Sequence, residues 1–225
     1  MPTEDEVPSE AMELVGQGVD PAAAEVDTER LLVSRLKRGD GAAFEALVRS
    51  HQDRIYDFCV RMLADQEEAF DLTQEIFLSV HQHLERFRAD AKLSTWLFRI
   101  AKNHCLNRIK YLSRRGRGRS EEYAEANELS ITQSVGGPVR PDEVLSARHE
   151  RERVHRAIAE LDDDQRVLVV LRDVEGLTYE EIMDVTELAE GTVKSRLHRA
   201  REKLADILVR LDAGTEHQGD SHREK

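Results

Sequence analysis

At 225 residues the chain has room for one or two small domains, and a formal charge of −12 with an isoelectric point near 5.3 argues against indiscriminate nucleic-acid binding. The charge is unevenly placed. Residues 1–29 carry nine acids and no base, whereas Cys105 to Ser120 carries six bases and no acid, so local potential rather than the sum governs contact with DNA. The only cysteines, Cys59 and Cys105, each fall on an apolar helical face, which predicts buried free thiols in a reducing compartment. There is no charged-then-apolar leader and no apolar run of about 18 residues, so a soluble intracellular protein without membrane insertion is expected.

Met1 to Val26 mixes acids with Pro, Gly and Ala without helical period and predicts a disordered acidic tail over 1–26. Such a tail either solvates the chain or folds back as a DNA mimic on basic surfaces. Thr28 to Lys37 predicts a short helix with Leu31, Leu32 and Leu36 inward, closed by Gly39 to Gly41. From Ala42, Phe44, Leu47, Val48, His51, Ile55, Phe58, Cys59 and Met62 recur at three and four residues, a long core helix. A second runs from about Glu67 to Arg86, with Phe70, Thr73, Phe77, Val80 and Leu84 inside. Its outer face, Asp71, Gln74, Glu75, Leu78 and Gln82, is acidic with an apolar centre. That face suits either docking or plain solvation.

After a polar connection, Ser94 or Thr95 is placed to cap a third helix with Leu93, Leu97, Ile100, Cys105, Ile109 and Leu112 on its apolar side. Arg99, Lys102, Asn103 and Arg108 ride elsewhere, with Trp96 at the start. Cations neutralise phosphate, Asn hydrogen-bonds base edges and an aromatic pocket holds an unstacked base, a combination suited to melted DNA. Trp96 also lies near the apolar side, where it would be plain core. Residues 113–141 lose all period and predict a flexible linker, whose arginines either track phosphates or are merely solvated.

From Asp142, Val144, Ala147, Val154, Ile158 and Leu161 line one helix, and Asp162 with Gln165 is placed to cap the next, holding Val167, Leu168 and Leu171. Then comes LTYEEIMDVTELAEGTVKSRLHRAREKL. Thr178 and Glu181 form a capping box, Ile182 and Val185 point inward, and Thr186 to Ala189 is a tight turn. Val193, Leu197, Ala200, Leu204 and Leu208 make one apolar line on the following helix. Lys194, Ser195, His198 and Arg199 therefore share the opposite face near its start, where a recognition helix meets base edges, with Arg196, Arg201 and Lys203 flanking for phosphates. An amphipathic hairpin with a solvated basic face is the bland alternative. Residues 212–225 have no apolar period and are expected to fray.

These elements predict an all-α chain of two small helical domains, 27–112 and 142–211, joined by the flexible linker 113–141, the second domain carrying the helix-turn-helix. Four ordered blocks, FEALVRSHQDRIYDFCVRML, DLTQEIFLSVHQHLERF, STWLFRIAKNHCLNRIK and AELDDDQRVLVVLRDVEGLTYEEI with EGTVKSRLHRAREKL, resemble bacterial sigma factors of the extracytoplasmic-function class of the sigma-70 family. The resemblance spans roughly Asp27 to Leu211. It implies that Asp71, Gln74, Glu75 and Phe77 belong to the surface that docks on core RNA polymerase. It further implies that Arg88, Trp96, Arg99, Lys102, Asn103 and Arg108 capture the melted minus-ten element, and that Lys194, Ser195, Arg196, His198, Arg199, Arg201 and Lys203 contact the minus-35 duplex. Promoter DNA, core polymerase and an anti-sigma factor are the implied partners, the bacterial cytoplasm the implied location, and no cofactor or enzymatic activity is implied.

The chain departs from the family pattern at Glu187, where a turn glycine is usual, at Ala189, where a serine often caps the recognition helix, and at Asp162 and Asp163, where proline is frequent. Two other classes remain as alternatives: a stand-alone helix-turn-helix regulator, and a metal enzyme using His81, His83, His104 and Cys105. Against the enzyme, His81 and His83 are two residues apart on a helix and point about 200° apart.

Overall fold

The computed structural model describes residues 21–88, 91–116 and 141–219, and every regular element among them is helical. The α-helices are α1 (Pro21–Lys37), α2 (Gly41–Leu63), α3 (Gln66–His83), α4 (Leu93–Gly116), α5 (Pro141–Ala159), α6 (Asp163–Val169), α7 (Tyr179–Thr186) and α8 (Glu190–Gly219). A 3-10 turn, Leu84–Arg86, prolongs α3, and a π-helical turn, Val170–Val174, prolongs α6.

Helix α1 starts at Pro21, inside the stretch where a tail is expected; Pro at a first helical position followed by three alanines favours this start. Residues 1–20 of that acidic segment lie outside the described residues. Within α1, Val33 and Leu36 are buried and Leu32 partly so, but Leu31 is 63% exposed. The correction is rotational: Leu31 precedes Val33 by two residues and so points about 200° away from it.

Asp40 caps α2, accepting from the amides of Ala42 (3.0 Å) and Ala43 (3.1 Å). Asp65 caps α3 through the Glu68 amide at 3.0 Å. Helix α4 begins before the expected Ser94 or Thr95 cap; Thr95 is buried inside it, and the carboxylate of Glu29 on α1 instead accepts from the Leu93 amide at 2.6 Å. At its other end α4 continues past Leu112 to Gly116, with Arg114 and Arg115 in the last turn, where cations complement the helix dipole. The remainder of the predicted linker, 117–140, lies outside the described residues.

Helices α2, α3 and α4 close around Leu47, Ile55, Leu72, Ile76, Leu97 and the edge-to-face pair Phe58–Phe98, centroids 5.6 Å apart. Cys59 and Cys105 are free and buried here, Sγ to Sγ 3.7 Å; the hydrogen bond to Cys59, then burial, pushes the Cys105 thiol up. Helices α5 to α8 close around Ala157, Leu161, Leu168, Leu171, Ile182, Val185, Val193 and Leu197. The Asp162 side chain makes no cap bond to α6; it accepts from Lys203 of α8 at 2.8 Å, which draws the carboxylate away from the helix end. Helix α8 runs past Asp212 to Gly219, and an Arg153–Asp212 ion pair ties the start of that extension to α5.

The two sets of helices share one continuous buried cluster. Arg166 of α6 donates to the Met62 carbonyl at the end of α2 (2.6 Å) and to the carbonyls of Ile158 (3.2 Å), Leu161 (2.9 Å) and Ala159 around the end of α5. One guanidinium thus satisfies carbonyls that helix ends leave open. Arg54 of α2 pairs with Glu175 at 3.1 Å, and α7 lies along α4.

Candidate nucleic-acid and polymerase interfaces

On α3, Asp71, Gln74 and Glu75 are exposed, whereas Phe77 is 7% exposed and forms the floor of a groove beside them. This apolar groove, about 530 Å³, lies between α2 and α3 and is lined by Val48, Gln52, Asp53, Tyr56, Phe70, Thr73, Gln74 and Phe77. Phe70, predicted inside, is 59% exposed. The buried line of α3 is Ala69, Leu72, Thr73, Ile76, Phe77 and Val80, which leaves Phe70 on the groove rim. Phe70, Gln74 and Leu78 recur every four residues on the open side, so the apolar centre of this face is larger than the sequence suggests.

Near the start of α4, Arg88, Trp96 and Arg99 share a cavity of about 290 Å³ with Arg86, Phe87, Ala91, Thr95 and Asp184. Trp96 is half-buried and tilts against Phe87, centroids 5.2 Å apart, so it serves the core on one side and lines the cavity on the other. Asn103 is exposed. Lys102 donates to the Val185 carbonyl at 3.1 Å, and burial, opposed by Glu187, lowers its pKa. Arg99 pairs with Glu187. Arg108 is turned away from this group: it bridges Glu68 and Glu75 of α3, the latter at 2.7 Å.

The helix-turn-helix follows its local signals. Thr178 Oγ1 accepts from the Glu181 amide at 3.2 Å and Glu181 accepts from the Thr178 amide at 2.8 Å, closing the capping box. Ile182 and Val185 are fully buried. Glu187 terminates α7 at φ +61°, a left-handed position that glycine adopts without strain, and its amide returns to the Met183 carbonyl at 2.7 Å. Ala189 offers α8 no side-chain cap; its carbonyl accepts from Thr192 and Val193 at 2.9 and 3.0 Å. Lys194, Ser195, His198 and Arg199 all stand exposed on α8. Lys194 pairs with Glu190 at 2.5 Å and lies 5.3 Å from the Tyr179 ring, and the Glu190 hydrogen bond raises its pKa. The flanking cations are engaged within the fold: Arg196 with Asp164 (3.6 Å), Arg201 with Asp173 (3.0 Å) and Lys203 with Asp162 (2.8 Å). These long-range pairs carry no signal in the local pattern.

The fold and the capped turn before α8 define an all-helical protein that carries a helix-turn-helix with an exposed basic face. Residues 47–115 match Sigma-70 region 2 and residues 151–204 match Sigma-70, region 4. The chain is similar to RNA polymerase sigma-H factor of Pseudomonas aeruginosa, 34% identical over 185 residues that cover 82% of this chain and 96% of that one. It is 33% identical to ECF RNA polymerase sigma factor SigW of Bacillus subtilis, over 76% of this chain and 92% of the relative. With ECF RNA polymerase sigma-E factor of Escherichia coli K12 the identity is 34%, over 79% and 92%. Two solved structures share the fold. CnrH in complex with the cytosolic domain of CnrY aligns at TM-score 0.59 and 24% identity, over 82% of this chain and 97% of that one. RpoE in complex with the anti-sigma factor NepR from Bartonella quintana aligns at 0.59 and 22%, over 73% and 96%.

The chain belongs to the extracytoplasmic-function sigma factors of the sigma-70 family. It is accordingly a transcription initiation factor that directs RNA polymerase to promoters, not an enzyme. Among the described residues, no helix is long and apolar enough to cross a membrane.

Proposed function

We propose that the chain divides promoter recognition among three surfaces. The α3 face with Asp71, Gln74, Glu75 and the Phe77 groove docks on core polymerase. Residues on and before α4, namely Arg88, Trp96, Arg99, Lys102 and Asn103, hold the melted minus-ten strand. Lys194, Ser195, His198 and Arg199 of α8 read the minus-35 element as duplex, with Arg196, Arg201 and Lys203 beside the backbone. The open face of α8 carries this reading: four side chains able to meet base edges stand together near the start of a helix set by a capping box and a short turn. Arg108 acts in this scheme from a distance, by fixing α3 against α4. The scheme treats 27–112 and 142–211 as two functional modules working in the bacterial cytoplasm beside polymerase, held in check by an anti-sigma factor.

In vitro transcription tests it. Purified protein with sigma-free core polymerase on pooled genomic promoter fragments is expected to give discrete starts that share two spaced motifs. Core binding without such starts, or starts lacking an upstream motif, rejects the two-part division.

A further inference from the structure

Helix α7 lays a row of acids along the basic side of α4. Glu181, Asp184 and Glu187 follow one another at three-residue spacing, which keeps them on one side of a helix. Glu181 pairs with Lys92 at 2.9 Å, Asp184 lines the cavity of Arg86, Arg88, Trp96 and Arg99, and Glu187 pairs with Arg99. Beside them the Val185 carbonyl accepts from Lys102 at 3.1 Å. From Tyr179 to Glu187 there is no lysine or arginine.

We propose that α7 and its C-terminal turn act as an internal nucleic-acid mimic: their carboxylates and one backbone carbonyl occupy the α4 surface that single-stranded DNA would take. This rests on the reading of α4 as the minus-ten surface. Glu187 is the informative residue, because a left-handed turn position favours glycine, yet this chain places there a carboxylate aimed at Arg99. In the closed arrangement the α3 face and the α8 base-reading face are exposed while Arg99 and Lys102 are engaged. Polymerase therefore docks first, and the α4 surface becomes available only as α7 leaves it.

The test uses the full chain carrying Glu181→Gln, Asp184→Asn and Glu187→Gln together. Glutamine retains the capping box, so α7 keeps its start. Dyes on Gln82→Cys and Asp206→Cys, both exposed while Cys59 and Cys105 are buried, report closed and open populations by single-molecule energy transfer. Binding of a labelled, mixed-sequence single strand of about 15 nucleotides is measured in parallel. The expected result is a several-fold loss of the closed population with roughly tenfold tighter strand binding, the scale of a few partly exposed ion pairs. Tighter binding with unchanged populations overturns the proposal, since removing repulsive charge alone would then suffice. Unchanged populations and binding overturn it as well. Opening with no gain in binding also overturns the mimic, and that outcome alone locates the failure in the assignment of α4 to single-stranded DNA.

Discussion

Arg108 of α4 holds Glu75 of α3 at 2.7 Å and grips Glu68 with its other amino group. Burial works against this charged fork, the two carboxylates outweigh it, and the guanidinium is held above its ordinary value. Glu75 is thus both a candidate polymerase contact and half of a helix-to-helix clamp, whereas Asp71, exposed on the same face, takes no part in that clamp. Asp71→Lys is therefore the clean test of docking. Its affinity for core polymerase should fall by about tenfold or more, the scale of a charge-pair loss in an interface, with thermal stability unchanged. Arg108→Ala should lower stability by roughly 1–2 kcal/mol, since the pairs are only partly screened from water. Unaltered melting of the Arg108 variant would refute the clamp.

Arg166 joins helix ends from both halves of the chain. With Arg166→Ala, the carbonyls of Met62, Ala159 and Leu161 lose the guanidinium donor in a half-buried place, while Ile158 keeps the Leu161 amide at 3.1 Å. A loss of roughly 2–4 kcal/mol in denaturant unfolding is expected, and Arg166→Lys should restore little, because a point ammonium cannot reach several divergent carbonyls. Full rescue by lysine would show that charge alone suffices.

Local chemistry made part of this fold legible. The Thr178–Glu181 capping box, the turn at Glu187 and the buried line Val193, Leu197, Ala200 depend on residues within a few positions of one another. Surfaces chosen by distant neighbours were not legible. Helix α3 has apolar residues at 69, 70, 72, 76 and 77, which offer two overlapping stripes, and only its packing on α2 settles that Ala69 turns inward and Phe70 outward. Likewise Arg99 meets Glu187 across 88 positions, and Arg108 meets Glu75 across 33. No periodicity encodes such pairs. Arg99 and Arg108 look alike in sequence, yet one faces α7 and the other α3.

The turn at Glu187 allows strain to be separated from charge. Glu187→Gln and Glu187→Gly both remove the carboxylate that meets Arg99, but only glycine relieves the φ of +61°. The glycine variant should be more stable than the glutamine variant by about 1 kcal/mol in chemical denaturation. Equal stabilities would mean that the turn carries no appreciable strain.

His155 gives the interface between α5 and α2 a pH dependence. It is 3% exposed, and burial, reinforced by the Arg61 cation, lowers its pKa. The folded state therefore binds fewer protons than the unfolded chain, so this contribution is present above the unfolded value near 6.5 and lost as pH falls through the depressed folded value. Burial shifts His51 and His104 the same way. Glu175 works oppositely: burial raises its pKa, so the folded state takes up that proton first and regains stability in the acid range. The melting temperature should fall between about pH 7.5 and about pH 5.5, and His155→Phe should shrink that fall. An identical fall in the variant would acquit His155.

The exposed and the engaged cations of α8 should fail differently. Arg199 is exposed beside Ser195 and His198, whereas Arg201 forms a forked pair with Asp173 that raises its pKa. If Arg199 meets a base edge, Arg199→Ala should cost about 1–3 kcal/mol on the preferred minus-35 duplex and much less on a scrambled one. Arg201→Ala should instead weaken both duplexes alike and lower the melting temperature, because it frees Asp173 and removes a tie between α8 and the end of the α6 segment. Fluorescence anisotropy at two salt concentrations separates the cases. If Arg201 neutralises a phosphate, its removal reduces the salt slope by about one, whereas removing a base-reading Arg199 leaves the slope nearly unchanged. The reverse pattern would exchange the two roles.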